Sequence, residues 1–197
     1  MLSWLRRDRS GDYARELAEL DRSARAATRE ARGHLLNRCG DLCAANNDKG
    51  EALRYYGDAV DSYLSAGFAA PAAAMCRKIL RLVPTAVRAH GTLACLAAYE
   101  NQAEEARQRI DRFVDASTRS HTQQLTIARL RLMHDAMEDA ELRRHIARRL
   151  AELGDELGAE RIEAALRDSP HLEREPGAWE RVLKATTADP DDLWKFA

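Results

Sequence analysis

Aromatic side chains make up only 6% of this 197-residue chain, and it holds just 5 prolines and 10 glycines. Sandwiches and barrels draw on aromatic and β-branched strands punctuated by frequent Gly/Pro turns, so this scarcity disfavours them. No run of about 18 apolar residues is present, which removes a spanning helix, and the first residues lack the apolar stretch of a secretory signal. Net charge is nearly absent too: 31 basic residues stand against 32 acidic ones, for a formal charge of -1. No overall field therefore draws the chain onto DNA or an anionic membrane. Lysine is rare, with Lys49, Lys78, Lys184 and Lys195 set among many arginines. The four cysteines, Cys39, Cys43, Cys76 and Cys95, sit in helical patterns and not at the loop spacings of a secreted disulfide framework, so reduced thiols and a cytoplasmic setting are expected.

What is present is alanine and helical periodicity. Leu17, Leu20, Ala24, Ala27 and Ala31 recur at helix spacing through residues 12–32, with Gly33 read as the break that follows. Leu35, Leu36, Cys39, Leu42 and Cys43 stack along 34–46, and Asn46-Asn47 tolerates a left-handed turn. Asp48 with Glu51, Asn101 with Glu104, and Ser120 with Gln123 read as N-cap and N3 pairs, each opening a further helix. Gly67 ends one helix, Pro71 opens the next and Pro84 stops it. Asp139, Gly154, Gly158, Pro176 and Asp189-Pro190 divide the remainder into about four shorter helices. The fold class is all-α, with short connections that make successive helices antiparallel neighbours.

Self-comparison sharpens this. Gly67, Ala72, Cys76, Ile79 and Pro84 align at an offset of 34 residues with Asn101, Ala106, Ile110, Phe113 and Thr118. That is the period of a helix–turn–helix unit that buries its apolar face only by stacking on neighbours. In the stretch beginning at Leu36, the residues Leu36, Cys39, Gly40, Cys43, Ala52, Tyr56 and Ala59 follow the large, small and aromatic pattern of the tetratricopeptide repeat family. Leu93, Ala94, Ala97, Ala106, Ile110 and Phe113 follow it again. The chain resembles that family over residues 34–118. The resemblance implies antiparallel helix–turn–helix repeats (a TPR-like α-solenoid), with an N-terminal tag and amphipathic helix at 1–33 and degenerate helical repeats or a cap at 119–197. Helix 50–66 serves two units, and His90 and Ala97 replace expected aromatics, so the array is irregular.

No reaction is legible. The six histidines form no HExxH pair, and no Gly-rich phosphate loop or GxSxG element occurs. Cys39 and Cys43, four residues apart, coincide with repeat-core positions and read as packing rather than as half of a zinc site. A non-enzymatic scaffold with neither cofactor nor metal is therefore expected. By the resemblance it holds a peptide or helix of another protein on a concave face, read by Asn37, Asp41 and Ala44 and by Arg88, Gly91 and Cys95. Two alternatives remain. Arg129, Arg131, Arg143, Arg144, Arg148 and Arg149 could form a basic face for nucleic acid, although acids interleave with them and no stacking aromatics do. Residues 154–197, with six bases and eleven acids, could pair with the basic N-terminal helix of a second copy in a homo-oligomer. The Met1–Arg7 apolar–basic tag is too short for stable membrane insertion, and Trp179 and Trp194 read as rings capping the stack.

Overall fold

Helix boundaries follow from where the backbone can turn left-handed. A computed structural model describes the backbone of residues 3–168 and 177–187 and the side chains of 11–29, 31–168 and 177–184. Among these residues there is helix and no strand. The elements are α1 (Ser3–Ala26), α2 (Arg29–Ala45), α3 (Lys49–Ser65), α4 (Ala69–Leu82), α5 (Val87–Tyr99), α6 (Ala103–Arg119), α7 (Gln123–Asp135), α8 (Ala140–Glu152), α9 (Glu156–Asp168) and α10 (Ala178–Thr187). The Met1–Arg7 side chains, His171, Pro176, Asp189-Pro190 and Trp194 lie outside the described residues. No helix among the described residues is long and apolar enough to cross a membrane.

Five connections share one closing device. Asn47, Gly67, Asn101, His121 and Gly154 each take a positive φ. The next residue's N–H then donates to the carbonyl five positions back: Asp48 to Cys43, Phe68 to Tyr63, Gln102 to Ala97, Thr122 to Ser117 and Asp155 to Leu150. This is the Schellman closure, which satisfies carbonyls that the end of a helix leaves bare. It corrects two expected N-caps. Asn101 closes α5 instead of opening α6, whose N-cap is Gln102. Ser120 is the C-cap of α6, and Thr122 precedes α7. Asp48 does cap as expected, accepting from the N–H of Glu51 at 3.2 Å, and Asp139, read only as a division between helices, caps α8 by accepting from the N–H of Leu142 at 2.7 Å.

The chain divides into two compact units, residues 1–82 and 83–197, so the division falls inside the 34–118 stretch. In the first unit α2 packs on α1 and α3, and α3 packs on α4. Tyr63 and Tyr56, seven apart on α3, lie over Gly33 and Gly40, seven apart on α2. A Cβ added to Gly33 would stand 2.7 Å from the Tyr63 ring, and one added to Gly40 would stand 2.5 Å from the Tyr56 ring. The two helices thus interlock ring into gap, at a separation any larger residue would widen. Gly33 accordingly lies within α2, and the break falls at 27–28 instead. Cys39, Cys43, Ala52, Ala59, Val60, Cys76 and Ile79 fill the seams with no more than trace exposure. Each fully buried large apolar side chain stabilises by about 1.5–3 kcal/mol.

In the second unit α5 packs on α6 and α8 on α9, while α7 contacts α5, α6, α8 and α10. Its core gathers Ile110, Phe113, Leu130, Met133, Ile146 and Leu150, with Cys95 among them. Gly91 lies under Phe113, where an added Cβ would approach the ring to 2.8 Å. Trp179 of α10 is buried and meets Tyr99 edge-on, with ring centres 5.5 Å apart. Gly158, expected to break a helix, lies inside α9, where a side chain would overlap the Asp155 carboxylate.

Candidate functional site

Asn37 and Asp41 are four apart on α2 and so share one flank of that helix. The flank beside them is anchored on α3 by the Gly33/Tyr63 and Gly40/Tyr56 contacts. The Tyr56 hydroxyl donates to Asp41 Oδ1 at 2.7 Å. From α4, Lys78 Nζ donates to Asn37 Oδ1 at 2.7 Å and to Asp41 Oδ1 at 2.5 Å, and it stands 5.1 Å from the centre of the Tyr56 ring. Three helices therefore meet in one polar cluster at the surface of the first unit. Burial, together with the hydrogen bond to Asp41 and that carboxylate's charge, pushes the Tyr56 phenol well above its ordinary range. The phenol stays protonated and acts as a fixed donor.

Asn37 and Asp41 are two of the residues expected to line a partner groove, whereas Lys78 and the Tyr56 hydroxyl beside them carry no such expectation. Lys78 carries a faint signal: it is a lysine in an arginine-rich chain, on the polar side of a helix whose other side holds Ala72, Cys76 and Ile79. Ala44 is half-buried on α2. The other expected groove residues do not line an open surface. Arg88 is 4% exposed, Cys95 is 1% exposed, and Gly91 is covered by Phe113. Register assigned all three to the outward flank of a first helix, but nearly every residue of α5 is buried. Beside them, His90 is buried with Nε2 2.8 Å from the Pro84 carbonyl oxygen, and burial lowers its pKa.

Of the six arginines expected to form a basic face, Arg131 and Arg148 are exposed and Arg144 and Arg149 are half-buried. Arg129 and Arg143 are buried, and Arg143 Nε donates to the His134 carbonyl at 3.3 Å. Arg131 grips Asp155 with two hydrogen bonds, at 2.8 and 2.5 Å. Asp155 also accepts from the Gly158 N–H, and the Arg131 bond first, with this one adding to it, holds its carboxyl below the ordinary range against the opposing effect of burial. Arg144 pairs with Glu141. Arg149 reaches both Asp111, at 2.8 Å, and Glu152, at 2.5 Å, and His145 Nε2 lies 2.7 Å from the same Asp111 oxygen. These pairs tie α6 to α8 and α7 to the α8–α9 turn.

All four thiols are buried. Burial pushes Cys39 up to about 11 and raises Cys43 as well, which suppresses the thiolate needed for nucleophilic or metal chemistry. No group of three His, Cys, Asp or Glu side chains that could hold a metal ion occurs among the described residues. Two of the depressions among the described residues lie one in each unit. One of about 310 Å³ is lined by Arg29, Arg32, Asp58, Asp61, Ser62 and Ser65. The other, about 70 Å³, lies between Asn101, Met137, Asp139, Leu142 and Trp179. No protein-family model matches the chain, and no curated protein matches it in sequence.

Proposed function

We propose that the chain is a non-enzymatic, TPR-like interaction scaffold whose α2–α4 surface holds a peptide or helix of another protein. The observation that carries this reading is the Asn37–Asp41–Lys78–Tyr56 cluster. Its amide, carboxylate, ammonium and phenol groups are drawn from three helices and held at fixed spacing, with the ammonium and carboxylate left partly open to solvent. Fixed hydrogen-bonding groups on rigid elements favour recognition, because little side-chain entropy is lost when a partner docks. Small residues at Gly33, Gly40 and Gly91 beneath aromatic rings support a repeat-type stacking of hairpins. The four buried cysteines suit a reducing compartment such as the cytoplasm. The partner surface of this reading lies in the first unit, on Asn37, Asp41 and Lys78, rather than on Arg88, Gly91 and Cys95.

The test is affinity capture from the native host with the full chain and with an Asn37→Ala/Asp41→Ala variant whose melting curve matches wild type. The expected result is a protein enriched by wild type and lost by the variant. Identical capture by both would reject the surface.

A further inference from the structure

An ammonium ion is recognised by convergent oxygen acceptors and by the face of an aromatic ring. The first unit holds all of these around one point. Asn37 supplies an amide oxygen at 2.7 Å, Asp41 a carboxylate oxygen at 2.5 Å, and Tyr56 a ring whose centre is 5.1 Å away. These groups belong to α2 and α3, and two of them are held by contacts of their own. The Tyr56 ring is wedged on Gly40, and its hydroxyl is tied to Asp41. The cation comes from elsewhere: Lys78 reaches in from α4 on a flexible four-carbon stem. The Lys78 side chain is 23% exposed and that of Asp41 is 50% exposed, so the cradle has an open side.

We propose that Asn37, Asp41 and Tyr56 form an ammonium-binding site whose resident occupant is the chain's own Lys78, and that a lysine side chain of a partner protein enters it by displacing Lys78. The partner's being a protein rests on the reading above; the cradle itself does not. The exchange is chemically balanced, since one ammonium leaves water as the other returns to it and the same acceptors are satisfied before and after. What opposes entry is the tether, which presents Lys78 at a high effective concentration. Lys78 is therefore an internal competitor that sets a threshold for the incoming side chain. Two acceptors aimed at a single point suit a compact ammonium better than a planar guanidinium, whose donors fan out in a fork.

Lys78→Ala removes the part of the side chain beyond Cβ, which is a propylammonium ion. The experiment follows the melting curve of full-length Lys78→Ala with increasing n-propylammonium chloride, against sodium chloride at equal ionic strength and against n-propanol. The expected result is a saturable rise in melting temperature with propylammonium alone, absent from wild type and from Lys78→Ala/Asp41→Asn. Equal responses to the ammonium and the alcohol, or equal responses of the single and double variants, would overturn the site. Should Lys78→Ala not fold, acetylation of wild type followed by mass spectrometry decides. Lys78 should react about tenfold more slowly than the exposed Lys49, and equal rates would show that no cradle holds it. None of these readouts contains a partner. A site that fills with propylammonium while the Asn37→Ala/Asp41→Ala variant captures the same proteins as wild type would keep the cradle and overturn its protein ligand.

Discussion

Replacing Gly40 with alanine should destabilise the chain even though alanine is the better helix former. In an exposed helix interior the exchange gains about 1 kcal/mol. Here the new methyl would stand 2.5 Å from two Tyr56 ring carbons, roughly 1 Å inside ordinary contact. Overfilling a packed seam costs about 1–3 kcal/mol. The ring cannot tilt away freely, because its hydroxyl donates to the Asp41 carboxylate at 2.7 Å, and a bond to a charged acceptor contributes about 1.5–3 kcal/mol. With the helix-propensity gain subtracted, overfilling alone leaves a net loss of up to about 2 kcal/mol, and any weakening of the Tyr56–Asp41 bond adds to it. For a chain of this size each kcal/mol moves the melting temperature by about 2–4 °C. Far-UV circular dichroism during thermal and urea unfolding measures it. Gly50→Ala is the control: nothing lies within 4 Å of a Cβ there, so that variant should gain about 0.5–1 kcal/mol. Tyr56→Leu in the Gly40→Ala background should restore part of the loss. A Gly40→Ala protein as stable as wild type would refute the interlocked α2–α3 seam.

Other perturbations test other parts of the structure. Asp155, held below its usual value of 3.8 chiefly by Arg131, contributes stability that is complete above about pH 4 and lost as pH falls through its folded value. Asp155→Asn should therefore lower the melting temperature at neutral pH and flatten the acid limb of the stability curve, and an unchanged limb would count against the Arg131 clamp. His90 works in a higher window: burial lowers its pKa below 6.5, so the unfolded chain takes up the proton first and stability declines as pH drops from about 6.5 towards the folded value. His90→Gln should remove that decline in pH-dependent melts, which the Asp155 variant should retain. The four buried thiols, with Cys39 at about 11, should stay silent to a thiol-reactive dye at pH 8 and react fully in denaturant. Prompt labelling of the native protein would contradict their burial.

Turn chemistry made much of the helix order legible. Asn47, Gly67 and Pro84 stand where the chain turns or stops, Asp48 caps as its sequence context implies, and Asp139 marks the division before α8. Errors arose where one residue type serves two purposes. Gly33 and Gly158 resemble breaks, yet each lies inside a helix because another side chain occupies its missing Cβ. Asn101 and Ser120 resemble N-caps, but the left-handed turns at Asn101 and His121 place them on the closing side of the preceding helix. At the candidate site, register along α2 sets Asn37 and Asp41 four apart on one flank of that helix. Lys78 was out of reach of such reasoning because it arrives from α4, and only packing brings it near. Arg88, Gly91 and Cys95 show the converse: a position along a helix states which way a side chain points, not whether anything lies over it.

The paired glycines and tyrosines of the α2–α3 seam bear on how relatives of this chain would be recognised. The quantity that packing conserves there is the combined bulk of two residues facing each other, not the identity of either one. A sister sequence with alanine at position 40 and leucine at position 56 would fit the same space while sharing neither letter. Scoring such opposed positions jointly, with the length of the 46–48 turn held fixed so that the pairs stay aligned, would be the more sensitive way to find distant kin.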